Sequence, residues 1–207
     1  MDENESYIFG LLITDGNLSL NTRNRGKVTL EINKRDEDII EKLFNLIPNS
    51  KIHERVRNTN FKNNYESKIF SNFQKNFRDK LIEEGFPTKD KTNQAAPPNK
   101  LYEKYSFWRG VIDGDGSLGL TKENKPFVSL VTKSEKLKDA YVNFLKDELN
   151  VIRNPNRNKR DNVYNITIFG DKAIELSEKL YLLNPNEIHI SRKFNKALEI
   201  QKYKKQQ

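Results

Sequence analysis

Two aspartates, Asp15 and Asp115, stand where this chain of 207 residues could do metal or acid-base chemistry. Each ends an apolar stretch, over residues 7–16 and 107–116, and each is followed by glycine. The two stretches share one order: an aromatic residue, a small residue, an aliphatic cluster and a terminal Asp-Gly. Because 100 residues separate the two aspartates, we interpret the chain as two copies of one unit.

Each stretch has the pattern of an apolar helix that ends at its last glycine. We expect Gly10 and Gly110 to let the two helices approach closely, and Gly16 and Gly116 to end them in a left-handed conformation. Each aspartate then lies at the negative end of a helix dipole. If the helices pack together, two carboxylates meet and repel, so either one takes up a proton or a metal ion neutralises both. We expect the metal ion.

The composition limits the class of partner. Lysine and arginine exceed aspartate and glutamate by 37 to 29, a net charge of +8, which favours a polyanionic partner over a protein that is merely basic. The chain has no cysteine, which excludes a disulfide framework and a thiolate metal site. No apolar run approaches the ~20 residues of a membrane span, and residues 1–5 are acidic, so we expect an intracellular soluble protein.

Both stretches are followed by the same order of predicted elements. Alternating apolar and polar residues predict strands, and apolar residues at helical spacing predict helices. After the first stretch, we expect a hairpin over 18–32, a helix over 38–47, strands at 51–57 and 65–71, and a helix over 72–84. After the second, we expect a strand at 118–120, a strand at 127–132, a helix at 134–149, strands at 151–157 and 163–169, and a helix at 171–182.

The sequence therefore predicts an α+β protein made of two pseudo-symmetric repeats, each ordered helix, hairpin, helix, hairpin, helix. We expect the repeats to pack through the helices of the two stretches, here called the motif helices, and their antiparallel sheets to form a curved saddle. The expected units are a first repeat over 1–85, a proline-containing linker over 86–100, a second repeat over 101–190, and a basic helix or tail over 191–207 along the surface.

One face of this saddle is rich in basic and polar side chains, which suit base edges in a DNA major groove. For any single residue the alternative is a solvated strand face, so the prediction depends on the whole set. From the first repeat we place there Ser19, Asn21, Arg23, Arg25, Lys27, Thr29, Glu31, His53, Arg55, Arg57 and Lys68. From the second repeat we place there Thr121, Lys122, Arg153, Arg157, Lys159, Arg160, Asn165 and Thr167.

The two stretches resemble the paired signature of the LAGLIDADG homing endonucleases, in the single-chain form that holds two copies. Residues 8–16 and 108–116 occupy the nine signature positions, with glycine third, the acid eighth and glycine ninth. The order of elements after each copy is also similar, so the resemblance covers nearly the whole chain. One such stretch would be weak evidence, whereas two at the spacing of one domain make a strong case.

The resemblance implies a monomeric nuclease that binds a long DNA duplex and cuts both strands across the minor groove. The eighth-position acids Asp15 and Asp115 would ligate Mg²⁺, with Gly16 and Gly116 at the same site and with Mn²⁺ or Ca²⁺ as substitutes. Magnesium prefers carboxylate, phosphate and water oxygens, and metal ions between two phosphates stabilise both the attacking and the leaving oxygen. No catalytic histidine is needed.

Further site residues follow from the same resemblance. The polar residue that closes the second strand corresponds to Asn33 and Thr132, and we add their neighbours Lys34 and Lys133 as groups that position water. The family often has a lysine at the end of a repeat's last strand. Other residue types stand there in this chain, so we expect substitutes, as follows: Lys75 in the first repeat and Lys172 in the second.

Three more residues are expected to have no catalytic role. Asp113, at the sixth signature position, is expected to be a solvent-facing residue at the helix end without a catalytic role. His53 and His189 are isolated in sequence, and we interpret both as surface or DNA-face residues. The spacing after Asp113 does not fit a calcium-binding loop, because glycine and glutamate are missing at the positions that such a loop requires.

Two other functions stay open at this stage. The same fold occurs in DNA-binding regulators that do not cleave, although both acids are kept here. Some members of the family act as RNA maturases that assist intron splicing, so intron RNA is a second expected partner. The chain length and the lack of cysteine favour an intron-encoded or free-standing gene over an intein.

Overall fold

The computed structural model describes residues 1–23, 25–58 and 64–204. Among these residues, no helix combines the length and the apolar character needed to cross a membrane. The first half contains α1 (Glu3–Asp15), β1 (Gly16–Leu20), β2 (Gly26–Asn33), a 3₁₀ turn (Lys34–Asp36), α2 (Asp38–Leu46), β3 (Ser50–Arg57), β4 (Tyr65–Asn72) and α3 (Lys75–Glu83). The second half contains α4 (Lys91–Gln94), α5 (Lys104–Asp115), β5 (Gly116–Leu120), β6 (Pro126–Thr132), α6 (Glu135–Leu149), β7 (Tyr164–Phe169), α7 (Asp171–Tyr181) and α8 (Ser191–Lys204).

The two motif helices, α1 and α5, form the centre of the core. Helix α1 begins with a capping box in which Asp2 accepts from the amide of Glu5, and its residues 6–13 are all buried. The helices touch through their glycines: a Cβ added at Gly10 would overlap the carbonyl oxygen of Phe107, and one at Gly110 would overlap that of Tyr7. The predicted close packing of the motif helices is therefore present.

This contact gives a stability prediction for Gly10→Ala. The added methyl group would meet backbone rather than a flexible side chain, so the helices must move apart. We expect the loss from overpacking to exceed the roughly 1 kcal/mol of helix propensity that alanine brings, for a net loss of about 2 kcal/mol. Thermal unfolding should then show a melting temperature lower by about 4–8 °C.

The control for this prediction is Asn4→Ala on the exposed first turn of α1, which should leave the melting temperature nearly unchanged. A Gly10→Ala protein as stable as the unaltered chain would show that the helices are not held at this distance.

Both glycines that follow the aspartates are extended, with φ of −74° at Gly16 and −96° at Gly116. The predicted left-handed conformation is therefore wrong. Glycine is needed for another reason: a Cβ at Gly16 would lie 2.6 Å from the carbonyl oxygen of Leu12, and one at Gly116 would lie 2.7 Å from that of Ile112. Each chain thus passes directly from the motif helix into the first strand of its sheet.

Each half supplies one antiparallel sheet. The first sheet has four strands in the order β1-β2-β4-β3, and the second has three in the order β5-β6-β7. Alternate strand residues are buried against the helices, as in β6, where Val128 and Leu130 are buried between more exposed neighbours. The other face of each sheet is open, which gives the predicted α+β architecture of two pseudo-repeats.

The strand predicted at 151–157 does not form. Only an isolated bridge joins Arg157 to Tyr164, and the rest of that segment is irregular. Pro155 lacks the amide that a strand at this position would need, and the residues around it are polar. An irregular segment therefore meets the first residue of β7 in place of a fourth strand.

The predicted linker and residues 191–204 of the predicted tail are both packed parts of the fold, and residues 205–207 lie outside the described residues. Within 86–100, the short helix α4 precedes Ala95, which is buried and whose carbonyl accepts from Ser134 Oγ at 2.5 Å. Helix α8 does not simply lie along the surface, because Lys193, Ala197 and Ile200 on one of its faces are buried. Both segments therefore contribute residues to the interior.

Candidate functional site

The two aspartates lie at matching ends of the packed motif helices. Both side chains reach solvent, although protein surrounds each of them on the other sides. A Cβ built on Gly114 would lie 3.3 Å from Asp15 Oδ2, so the end of α5 approaches the Asp15 carboxylate directly. A cleft of about 420 Å³ opens beside Asp15 and is lined from both halves, including Asn33, Ser117 and Lys193.

The surroundings of the two carboxyl groups raise their pKa values. Partial removal of water raises the pKa of Asp15, and it raises that of Asp115 to about 6, with repulsion from Asp15 adding to the shift. Nearby Lys91 and Lys193 oppose the rise in both cases. Carboxylates held close together with little water form a site that favours a bound cation.

Two lysines bind the C-terminal ends of the motif helices. Lys193 is buried, and its Nζ donates to the carbonyls of Ile112 at 2.5 Å, Asp113 at 2.6 Å and Gly116 at 3.0 Å. Lys91 donates to the carbonyl of Leu12 at 3.4 Å and to that of Thr14. Each places a positive charge where the helix dipole is negative and beside a candidate metal ligand.

Neither lysine is among the site residues predicted from the sequence. Lys91 lies in the predicted linker and Lys193 in the predicted tail, two segments to which no chemistry was assigned. Their spacing was the available signal, since Lys91 follows Asp15 by 76 residues and Lys193 follows Asp115 by 78. Burial lowers the pKa of both amines, and the neighbouring aspartates oppose that shift.

The substitutes predicted for the family lysine are placed elsewhere. Lys75 pairs with Asp79 within α3, and Lys172 pairs with Glu175 at 2.9 Å within α7, each on an exposed surface. Both pairs are local contacts along one helix, and neither lysine lines the cleft beside Asp15. The proposal that Lys75 or Lys172 supports the site is therefore corrected to Lys91 and Lys193.

Asp113 is buried, so its prediction as a solvent-facing residue is wrong. Its carboxylate accepts from the hydroxyl groups of Tyr7 and Tyr181, both at 2.7 Å, and from the amide of Ile190 at 2.8 Å. Burial raises its pKa against these stabilising bonds. Asp113 thus anchors Ile190, which lies just before α8 and three residues before Lys193.

The beginning of α8 is also held by the first half. Arg192 donates two bonds to Asp36, at 2.6 and 2.8 Å, and Asp36 is itself buried. Asp38 accepts from the backbone amide of Ser191 at 3.0 Å. These contacts join residues from opposite halves of the chain and fix the helix that presents Lys193.

The four residues nominated to position water have different surroundings. Asn33 lines the cleft, and its side chain accepts from the amide of Arg35 at 3.0 Å. Thr132 is buried on the helix side of β6 and accepts from the amide of Ser134 at 3.1 Å. Lys34 pairs with Glu66 at 2.7 Å and lines a different pocket, and Lys133 is exposed just after β6.

Thr132 is therefore not the partner of Asn33 on the open face. Gly16 pairs with Leu30 and Gly116 pairs with Leu130, so the 100-residue offset persists through both hairpins. That register makes Lys133, one residue beyond β6, the counterpart of Asn33. Beyond this point the offset changes, because Leu30 pairs with Phe70 and Leu130 pairs with Ile166, two partners that are 96 residues apart.

The open face of the first sheet holds most of the residues predicted for it. Lys27, Thr29 and Glu31 alternate with buried residues along β2, and His53, Arg55 and Arg57 are exposed along β3. Ser19 lies opposite Lys27, and Asn21, Arg23 and Arg25 belong to the exposed hairpin turn. Glu31 joins the strands, since it pairs with Arg55 and Arg57 at 3.3 Å each and accepts from Ser67 at 2.7 Å.

The placement of Lys68 on this face is wrong. The register pairs Lys68 with Ile32, a residue of the buried side of β2. Its Nζ accordingly contacts the helix side of the sheet, pairing with Glu37 at 3.3 Å and with Glu41 at 2.5 Å. The irregular hairpin shifted the parity of β4 by one residue relative to the prediction.

The second sheet carries its charges in loops. Asn165 and Thr167 lie on the open face of β7, as predicted. Thr121 and Lys122 belong to the turn after β5, and Arg153, Lys159 and Arg160 are exposed in the irregular segment before β7. Arg157 folds over the Tyr164 ring, 4.6 Å from its centre, and donates to the carbonyl of Lys133 at 3.0 Å.

The two histidines lie away from the aspartates' cleft. His53 is exposed on the open face of β3, which agrees with its interpretation as a surface residue. The ring of His189 is half-buried and stacks on Phe194 with 4.4 Å between ring centres. Burial lowers the pKa of His189. Its role in the structure is packing at the start of α8.

Comparison with known proteins adds a family-model match to part of the chain and a fold. The family model described as a LAGLIDADG-like domain matches residues 103–179. A search of curated protein sequences finds no match to this chain.

Solved structures match nearly the whole chain. The homing endonuclease I-WcaI, bound to its DNA recognition sequence, matches with a TM-score of 0.62 and 18% identity, covering 93% of this chain and 85% of its own. I-SmaMI, bound to uncleaved DNA with calcium ions, gives 0.57 and 11%, covering 96% and 90%. The N-terminal LAGLIDADG domain of DUF199/WhiA gives 0.53 and 17%, covering 87% and 83%. These findings confirm the predicted resemblance and fold class.

Proposed function

We propose that this chain, which has the fold of the LAGLIDADG homing endonucleases and carries a LAGLIDADG-like domain, is a site-specific endonuclease of double-stranded DNA. The observation that carries the proposal is the pairing of Asp15 and Asp115 at the ends of two packed helices, beside Lys91 and Lys193. The cleft beside Asp15 is lined by Glu31 and Asn33 from the first sheet and by Ser117 from the second. A duplex lying along the open faces of the two sheets would bring its phosphates to the carboxylates.

The residues at this site fit Mg²⁺, the metal ion that the resemblance implies. Among the described residues, no group of three or more histidine, cysteine, aspartate or glutamate side chains could enclose a metal ion. Magnesium does not need such a cage, because it binds through one or two carboxylates, keeps several waters and accepts phosphate oxygens as further ligands. Asp15 and Asp115 would hold it, with Gly16 and Gly116 beside them, and Mn²⁺ or Ca²⁺ would suit the same oxygens.

The bound cation would supply an activated water and would neutralise charge on the scissile phosphates. The chain's own residues have separate tasks in the proposed reaction. Asp15 and Asp115 must stay ionised, and Lys91 and Lys193 favour that state by their positive charge. Asp113 and the Asp36–Arg192 pair hold Lys193 in place, and Asn33 presents a polar group to the cleft.

The proposal is tested with a library of long duplexes randomised in sequence. The purified chain is incubated with the library and Mg²⁺, and cut products are recovered and sequenced. The expected result is one long recognition sequence, cut in both strands only when the divalent cation is present. Failure to recover any cut product, together with specific binding of a duplex, would instead identify a DNA-binding protein that does not cleave.

A pH prediction follows from the raised pKa of Asp115, about 6. A protonated carboxyl group cannot ligate the cation, so the apparent affinity for Mg²⁺ should fall as the pH drops through 6, by up to about tenfold per pH unit below it. Cleavage rates measured at several Mg²⁺ concentrations between pH 5 and 8 should show this loss. Saturating Mg²⁺ should move the midpoint to lower pH, whereas a midpoint that ignores Mg²⁺ would contradict ligation by Asp115.

The alternative of an RNA maturase is tested with the same protein. Intron RNA should compete with the duplex for the basic face if RNA is a partner, and splicing of a candidate intron should then depend on added protein.

We further propose that the chain acts as a monomer with internal pseudo-twofold symmetry, since both aspartates and both lysines come from one chain. Homing of an intron is the biological role that such a nuclease would serve.

A further inference from the structure

The open faces of the two sheets differ in chemistry. Along the described strands β5, β6 and β7 there is no charged residue. On the first sheet, by contrast, Lys27 and Glu31 lie on β2 and three basic side chains lie on β3. The open face of the second sheet consists of Ser117, Phe127, Ser129, Val131, Asn165, Thr167 and Phe169.

Apolar side chains on this second face are exposed. Phe169 keeps 42% of its surface in solvent and Val131 keeps 38%. Phe127 lies directly opposite Phe169 in the strand register, so the two aromatics form one pair at the hairpin end of the sheet. Apolar groups that stay exposed together on one face are candidates for contact with a partner.

Basic side chains lie along the edges of this apolar face, and one of them contacts it. The Nζ of Lys125 is 5.1 Å from the centre of the Phe169 ring, and Arg153, Lys159 and Arg160 are exposed in the segment beside β7. Charges at the edge of a DNA-binding face suit phosphates, which position a duplex but carry no sequence information. The strand residues are then the ones that meet base edges.

The major groove offers one apolar group to such residues, the C5-methyl of thymine. We infer that the second sheet reads a thymine-rich half-site through methyl contacts of Phe127, Val131 and Phe169, while the first sheet reads its half-site mainly through charged and amide side chains. This inference rests on the proposed function, because it requires a duplex on the open faces. It makes the recognition sequence chemically unequal in its two halves.

The first sheet has a smaller apolar element. Phe73, just beyond β4, is 49% exposed and lies beside Ser19, Arg25 and Lys27. It stands alone among polar and basic groups, with Lys51 Nζ 5.8 Å from its ring centre. We therefore expect the loss of thymine methyl groups to weaken binding mainly in the second half-site, with at most one sensitive thymine in the first.

The test uses the duplex recovered from the randomised library. Its orientation is fixed by Glu123→Cys, which gives the chain a single cysteine in the exposed turn before β6 and allows an iron chelate to cleave nearby DNA. Thymines in one half-site are then replaced by deoxyuridine, which removes the methyl group and keeps every base pair. Binding is measured without Mg²⁺, so that no cleavage is needed.

Each methyl group in contact should contribute about fourfold to affinity, from the burial of one carbon. Deoxyuridine at several thymines of the second half-site should thus weaken binding at least tenfold, and the same replacement in the first half-site should change it by no more than about fourfold. In Val131→Ser and Phe169→Ser, deoxyuridine should weaken duplex binding by a smaller factor than it does in the unaltered chain. The matched control is Val56→Ser, which removes a side chain 64% exposed on the opposite side of β3 and should leave the deoxyuridine effect unchanged.

A recovered and cut duplex that binds equally well with deoxyuridine in its second half-site would overturn this inference and leave the proposed nuclease intact. Equal losses from deoxyuridine in both half-sites would overturn it as well. If the library yields no specific duplex at all, the proposed function itself fails, and the inference fails with it.

Discussion

Asp15→Asn and Asp115→Asn should each abolish double-strand cleavage while leaving DNA binding nearly unchanged. Asparagine keeps the size of the side chain but removes the negative charge that binds the cation. Several kcal/mol of transition-state stabilisation should be lost with the cation, which corresponds to about a thousandfold or more in rate. The measurement is single-turnover cleavage of the recovered duplex in Mg²⁺, together with duplex affinity in its absence.

The control for these variants is Asp147→Asn, the same chemical change on the exposed surface of α6, which should cleave at the normal rate. Because the pKa of Asp115 is raised in the folded chain, its ionisation disfavours folding as the pH rises through about 6. Asp115→Asn should therefore melt at a higher temperature than the unaltered chain at pH 8 without metal. Loss of duplex binding in either site variant would show that the aspartate is structural.

Duplex affinity should fall steeply with salt, by about a thousandfold between 50 and 200 mM if six or more phosphates are neutralised. The basic residues that could make these contacts lie on β3, in both hairpin turns and in the segment beside β7. Each phosphate contact releases a counterion, so the logarithm of affinity should fall linearly with the logarithm of salt concentration. Fluorescence anisotropy with the recovered duplex at several salt concentrations measures this slope.

Single substitutions test whether residues on the open faces cause the salt dependence of duplex affinity. Lys51→Gln, on the open side of β3, should reduce the slope by about one, whereas Lys146→Gln, on the exposed side of α6, should not change it. An affinity independent of salt would contradict a duplex lying along the basic face. A slope reduced equally by both variants would indicate that the charge acts through the whole protein.

The sequence allowed the central part of the fold to be predicted because that part follows local rules. Apolar stretches that end in Asp-Gly predicted the motif helices, and alternation predicted the hairpin β1–β2 and strand β5. Strand β6 is apolar nearly throughout, so its two faces could not be told apart. Gly10 and Gly110 marked the place where two helices touch, since only a missing Cβ permits that distance. The two aspartates follow from these elements, because each stands at the last residue of its helix.

The rest of the site depends on contacts between distant segments, which periodicity does not contain. Lys91 and Lys193 reach the helix ends from segments that looked like a linker and a tail. Asp113 was predicted to face solvent at a helix end, yet it is buried and accepts from two tyrosine hydroxyls and a backbone amide. For Lys68, a single residue of register reversed the predicted face, as expected for a sheet with a period of two.

Binding of Ca²⁺ to the protein–duplex complex, measured by isothermal titration calorimetry, tests the shared cation site without relying on cleavage. If Asp15 and Asp115 hold the cation between the two halves, the complex of the unaltered chain should bind Ca²⁺, and the complexes of Asp15→Asn and Asp115→Asn should each lose most of that binding. Undiminished Ca²⁺ binding in both variants would contradict the pairing of these two carboxylates around a common metal ion.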